Sequence, residues 1–236
     1  MNLPWVIYAD MVATVVPLVA GAANRRRLTS ARRWILGWSG LLVAANLLSA
    51  ALAMQNRNNH WLNYVVTPLG AAVSLWAVSL WQRSLRATRA LRLCIPLLGM
   101  SWIAIVLRWE NTATFSVLAE PFAGLLVLGA AIYTLVASTA TESGDLLKQD
   151  WFWVATGLAL YSGAAVALPP TAYWLLDRNR SLAIKVYEVK ALIEIVAFLV
   201  ISKGMLCPIP AMPFGGSFSR GSSPSPSSSS ASAPPW

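Results

Sequence analysis

Five ionisable side chains stand inside stretches that are otherwise apolar: Asp10, Glu120, Glu188, Lys190 and Glu194. An ionisable group placed in lipid is costly, so such residues mark ion pathways, proton relays or pairs turned into a helix bundle. Tyr187, Lys190 and Glu194 are spaced i, i+3, i+7 and share one helix face. Lys190 and Glu194, four apart, are placed to pair. Lys185 and Glu188 form a second candidate pair nearer the surface. Two pairs exceed what packing requires, and the pattern points to a polar pocket between helices. Glu120 is followed at once by Pro121, which within a helix frees a carbonyl and favours a kink. A carboxylate there suits cation binding, proton carriage or an ion pair. Asp10 lies in the outer third of the first apolar stretch, facing water or a site. Asn46 and Ser49, i and i+3, are placed to hydrogen-bond between helices. The candidate ligand-binding set is therefore Glu120, Tyr187, Lys190, Glu194, Asp10 and Asn46.

Catalytic constellations are missing from the sequence. It contains no HExxH, GxSxG or paired-aspartate motif. One histidine, His60, and two cysteines, Cys94 and Cys207, give no cluster of metal-ligand spacing. A haem held by two histidines of this chain is excluded, and no particular cofactor is implied. Both cysteines fall near expected cytoplasmic helix ends, where a structural disulfide is not expected. The expectation is a protein that is not an enzyme.

The elements that carry these residues follow from composition. Of 236 residues, 57% are hydrophobic and 11% charged, against about 25% charged in soluble domains. Mean hydropathy is +0.58. Membrane-spanning helices need about 20 mostly apolar residues. Seven stretches qualify: 3–23, 34–54, 61–81, 93–107, 115–137, 151–174 and 184–203. The fourth is short and needs Arg92 and Arg108 to snorkel from its ends. Lipid leaves no backbone polar group a partner outside the chain, so each span should be helical. The expected fold is all-α, a seven-helix transmembrane domain over residues 1–207. The first span lacks a positive start, contains Asp10 and is followed by three arginines, so it reads as a retained helix.

The net charge of +9 allows two interpretations, a nucleic-acid partner or an orientation signal. The distribution separates them. Twelve Lys/Arg fall on one expected face: Arg25, Arg26, Arg27, Arg32, Arg33, Arg83, Arg86, Arg89, Arg92, Lys148, Lys203 and Arg220. Four fall on the other: Arg57, Arg108, Arg178 and Arg180. That excess puts the amino terminus outside and the carboxyl terminus in the cytoplasm. The basic runs read as topology anchors touching anionic headgroups, with no nucleic-acid partner. Trp5, Trp61, Trp109 and Trp174 fall near outer ends, and Trp34, Trp38, Trp81, Trp151 and Trp153 near inner ends, as amphipathic rings prefer. Trp76 and Trp102 suit the core.

Three further segments complete the pattern. Pro169-Pro170 should kink or end the sixth helix, and Gly157, Gly163 and Ala167 keep one side of it small. The stretch "NRNNHWLNY", with four asparagines, reads as an outer loop that can rim a site. Residues 208–236 hold seven of the 14 prolines and ten serines, a composition that predicts a disordered cytoplasmic tail.

Four features in order carry a resemblance: "NNHWLNY" opening the third span, Glu120 early in the fifth, "DWFWVATGLALYSGA" opening the sixth, and a polar seventh span ending near a cysteine. The chain resembles, over residues 1–207, a group of small bacterial seven-helix membrane proteins without an assigned activity. The resemblance implies a bundle related to membrane sensor modules, although no signalling domain follows it. A second comparison is with microbial rhodopsins, whose seventh-span lysine carries retinal and whose third span supplies an acidic counterion. Lys190 could be that lysine, but it sits nearer the outer end than expected, the third span has Asn63 and no carboxylate, and no aspartate lies one turn before Lys190. The expectation is a multi-pass protein of the bacterial inner membrane, embedded in lipid. It would be a sensor, accessory or assembly subunit with a membrane protein partner or larger complex. A small proton- or ion-coupled transporter using Glu120, Lys190 and Glu194 is the alternative.

Overall fold

The structure, a computed structural model, describes residues 5–114, 116–140, 145–176 and 178–208. Seven long helices carry it: α1 Trp5–Ala23, α2 Ser30–Met54, α3 His60–Ser79, α4 Leu85–Trp109, α5 Ala119–Thr139, α6 Asp150–Leu176 and α7 Arg180–Leu206. Short one-turn helices at Arg25–Arg27 and Leu146–Lys148 sit in two of the links. Because the links are short, consecutive helices alternate in direction. The end where α1, α3, α5 and α7 begin is called the upper end below.

Many large apolar side chains face outward, and alanines fill much of the interior. Leu47, Val65, Leu93, Ile103, Val136 and Leu199 are all exposed, whereas Ala77, Ala119, Ala131, Ala155, Ala172, Ala183 and Ala197 are buried. A soluble protein does the reverse. In lipid, close packing of small residues replaces the hydrophobic drive between helices. Six helices, α1 to α6, are long and apolar enough to cross a membrane. The 27-residue α7 stands apart through Glu188, Lys190, Glu194 and Lys203, yet it packs as closely into the bundle as any other. The chain is thus a multi-pass helical membrane protein.

Helix contacts close a ring. In order around it stand α1, α2, α3, α5, α6 and α7, with α7 returning to α1. Helix α4 packs outside this ring, against α3 and α5, and buries only Leu91, Leu98 and Trp102. The α6–α7 contact is the tightest. A Cβ on Gly204 would stand 3.1 Å from the Asp150 carbonyl, and one on Gly157 would stand 2.8 Å from the carbonyl of Ala197. At Gly157 a Cβ would force the backbones apart, and at Gly204 it would require its neighbours to give way.

Several expectations need correction. The fourth helix is not short: it runs 25 residues, because the chain stays helical through Arg86, Arg89 and Arg92. Helix α5 begins at Ala119, so Pro121 occupies its first turn, where no intrahelical hydrogen bond is lost and no kink follows. Of the two outcomes expected at Pro169-Pro170, a kink or an end, the end is overturned: α6 continues through both prolines to Leu176. Gly163 has open space beside it and Ala167 is exposed, so of the three expected small residues only Gly157 makes a helix contact. Cys94 lies in the tenth position of α4 rather than at a helix end, while Cys207 caps α7, and both thiols are free. The upper-end rings Trp5, Trp61, Trp109 and Trp174 are exposed as expected, but Trp38 and Trp151 are buried. The tail expectation falls, apart from Pro208, on residues outside those described.

Candidate functional site

A cavity of about 250 Å³ opens within the ring, lined by all six of its helices and by no residue of α4. Helix α1 contributes Asp10 and Thr14, α2 Asn46, α5 Glu120, and α7 Lys190 and Glu194. Five of the six candidate residues therefore meet in one place. The sixth, Tyr187, lies one turn nearer the start of α7, outside the lining but within electrostatic reach of Glu120 and Lys190.

Local sequence explains each position. Glu120 is the second residue of α5, which puts it at the upper end. Its helix start is fastened by Glu110, whose Oε1 accepts backbone N–H bonds from Val117 (2.7 Å), Leu118 (2.6 Å) and Ala119 (3.1 Å). The Ser116 hydroxyl donates to Glu110 and accepts from the Glu120 N–H. A carboxylate there satisfies helix-start donors and meets the positive end of the helix dipole. On α7, Lys190 Nζ donates to Glu194 Oε1 at 2.8 Å, the pair read from the i, i+4 spacing. Lys185 is exposed, and among the described residues no ion pair joins it to Glu188. The Asn46 amide donates to the Thr14 hydroxyl of α1 at 3.4 Å, an interhelical bond as expected. Ser49 instead accepts from the Asn59 amide at 2.6 Å, which ties the α2–α3 turn. Asn58 reaches the Ala113 carbonyl and so joins two upper loops, while Asn63 lines the cavity.

The charges in the cavity do not balance. Asp10, Glu120 and Glu194 face one cation, Lys190, which Glu194 already holds. Among the described residues no ion pair ends on Asp10 or Glu120. Lys190 and Glu194 interact electrostatically with both of them. Asp10 Oδ1 is buried and has no hydrogen-bond partner. The Thr14 hydroxyl hydrogen is given to the Asp10 backbone carbonyl, and one N–H of the Asn46 amide is given to Thr14.

Away from the upper end the cavity meets three rings. Trp38 of α2 lies 5.3 Å from Tyr161 of α6 and 6.1 Å from Phe198 of α7, and Tyr161 and Phe198 are 5.7 Å apart. All three line the cavity, and together they join three of the six helices across its lower part.

Sequence reasoning missed these rings, and it also missed a polar stripe on α3. Asn63, Thr67, Gly70, Ala71 and Ser74 all line the cavity at i, i+4, i+7, i+8 and i+11. That periodicity was visible in the sequence and marks one helix face. The second omission is at the lower end. Arg32, read as a headgroup anchor, is instead 1% exposed and bonded through Nε to Asp150 Oδ2 at 2.7 Å. Its Nη1 donates to the Cys207 carbonyl at 2.8 Å. This buried bridge joins α2, α6 and the end of α7.

No protein-family model, curated protein or solved structure matches the chain.

Proposed function

We propose that the chain is a non-enzymatic binding module of the bacterial inner membrane, taking a small polar solute into the chamber from the outer side. The observation that carries this reading is the chamber itself. Five helices bring ionisable or amide side chains to one hollow, and three packed rings stand across its lower part. A hollow with ionisable groups toward its upper end and rings across its lower part suits a sensor or an accessory subunit that reports occupancy to a partner. The orientation rests on the excess of Lys/Arg at the lower end. Its volume is a little below the ~300–1,000 Å³ of sites for drug-sized ligands, which favours a small solute.

The test is ligand-induced stabilisation of the purified full chain in lipid nanodiscs, screened across small solutes, with Ala45→Phe as the control. Ala45 lines the chamber without bearing a polar group, so a phenyl ring there fills the hollow and leaves the charges in place. Some solutes should raise Tm in the parent and lose that effect in A45F. Stabilisation that survives A45F, or none from any solute, overturns the reading.

The unpaired carboxylates favour a second reading, a small proton- or ion-coupled transporter, since Asp10 and Glu120 are placed to take and release cations. Proteoliposome flux compared between the parent and Glu120→Gln decides it. Flux lost in E120Q supports transport, and flux in neither rejects it.

A further inference from the structure

The geometry points to a small organic cation, an ammonium group on an apolar body, as the chamber's ligand. This rests on the binding-module reading and adds the chemistry of the occupant.

The first support is where the unpaired charges stand. Asp10 is on α1 and Glu120 on α5, three places apart around the six-helix ring, hence on opposite walls. The Lys190–Glu194 pair on α7 is electrostatically linked to each of them. With Lys190 committed to Glu194 at 2.8 Å, two carboxylates face the hollow without a cation. A carboxylate taken out of water needs a compensating charge or donor. A ligand ammonium supplies both, and Asp10 Oδ1, buried without a donor, is placed to receive it.

The second support is the lower wall. Trp38, Tyr161 and Phe198 present aromatic rings to the same cavity. Such rings attract cations through their faces and shelter an apolar body. Carboxylates above and aromatic rings below fit a ligand with a charged end and an apolar end.

The third support is size. A hollow of about 250 Å³ holds roughly eight waters at ~30 Å³ each. A bare sodium or potassium ion needs a tight cage of oxygens and would leave most of this space unfilled, whereas a one-ring amine fills much of it. An anion would meet two like charges.

The experiment uses the full chain in nanodiscs with four one-ring probes, benzylamine, benzyltrimethylammonium, benzyl alcohol and benzoate, and with sodium and potassium chloride alone. Binding is read by calorimetry and by the shift in Tm. The two cations should bind and raise Tm, while the alcohol, the carboxylate and the salts should not. The double variant Asp10→Asn, Glu120→Gln should weaken cation binding at least tenfold. Its unliganded Tm should hold or rise, because a repulsion is removed, so lost binding is separable from lost folding. Stabilisation by benzyl alcohol or benzoate that A45F abolishes overturns the cation while leaving a binding module. Stabilisation by salt alone overturns the organic ligand. No response to any probe overturns this inference, and with the wider solute screen also blank, the module reading falls too.

Discussion

Among the described residues two ion pairs lie inside the bundle, and they are built to different ends. Arg32 and Asp150 come from different helices, with side chains only 1% and 7% exposed. Asp150 is the first residue of α6, where the helix dipole favours an anion, and Arg32 bonds a carbonyl at the end of α7, where it favours a cation. The Thr29 hydroxyl adds a 3.5 Å contact to Asp150. Lys190 and Glu194 stand on one helix, four residues apart, with 19% and 10% exposure, beside a hollow. The first pair joins helices. The second joins nothing beyond its own turn, yet it sets the charge of the chamber wall. Equal chemistry thus gives a fastening at one end of the molecule and a tuned surface at the other.

The strongest way to break this comparison is to remove half of the lower pair. Arg32→Met or Asp150→Leu alone should cost about 3–5 kcal/mol, because either leaves a buried charge without its partner. The double variant should recover much of that loss, since apolar replacement of both partners is often close to neutral. Unfolding in nanodiscs measures all three. Singles that unfold like the parent would mean the lower pair fastens nothing.

The difference between the pairs also explains what was legible in the sequence. Helices were legible because 20-residue apolar runs need no tertiary information. Lys190 and Glu194 were legible because four-residue spacing is local. Arg32 and Asp150 lie 118 positions apart, and Arg32 sits in a basic run that resembles every other membrane anchor. Its burial depends on α6 and α7 arriving beside it, which no local pattern encodes. The same holds for Trp38, expected at an interface and found against Tyr161 and Phe198. Glu120 was found, but its setting was misjudged. The helix start depends on Glu110, a loop residue whose role appears only when the chain turns back on it.

Lys190 offers the middle test. Lys190→Met keeps the length of the side chain and removes the cation, so Glu194 becomes a third unpaired carboxylate. The stability loss should be below that of Arg32→Met, because the Glu194 left behind, though buried, borders a hollow large enough to hold water, whereas Asp150 does not border it. Affinity for benzylamine should rise at the same time. A loss as large as that of Arg32→Met, with unchanged binding, would recast the upper pair as a second fastening.

Asn46 gives the smallest expected effect and sharpens the contrast most. Its amide crosses from α2 to Thr14 of α1 at 3.4 Å, a long hydrogen bond beside the chamber. Polar bonds between membrane helices average about 0.6 kcal/mol, so Asn46→Ala should move Tm little. The Thr14 hydroxyl keeps its 2.9 Å bond to the Asp10 carbonyl, so the α1 wall stays formed. Loss of the amide leaves the two chamber carboxylates untouched, and benzylamine affinity should change less than in the D10N/E120Q double variant. Thermal unfolding and calorimetry of the one variant read both quantities. A stability loss comparable to that of Arg32→Met would show that the chamber walls are held as firmly as the lower end, and the distinction between fastening and binding ends would dissolve.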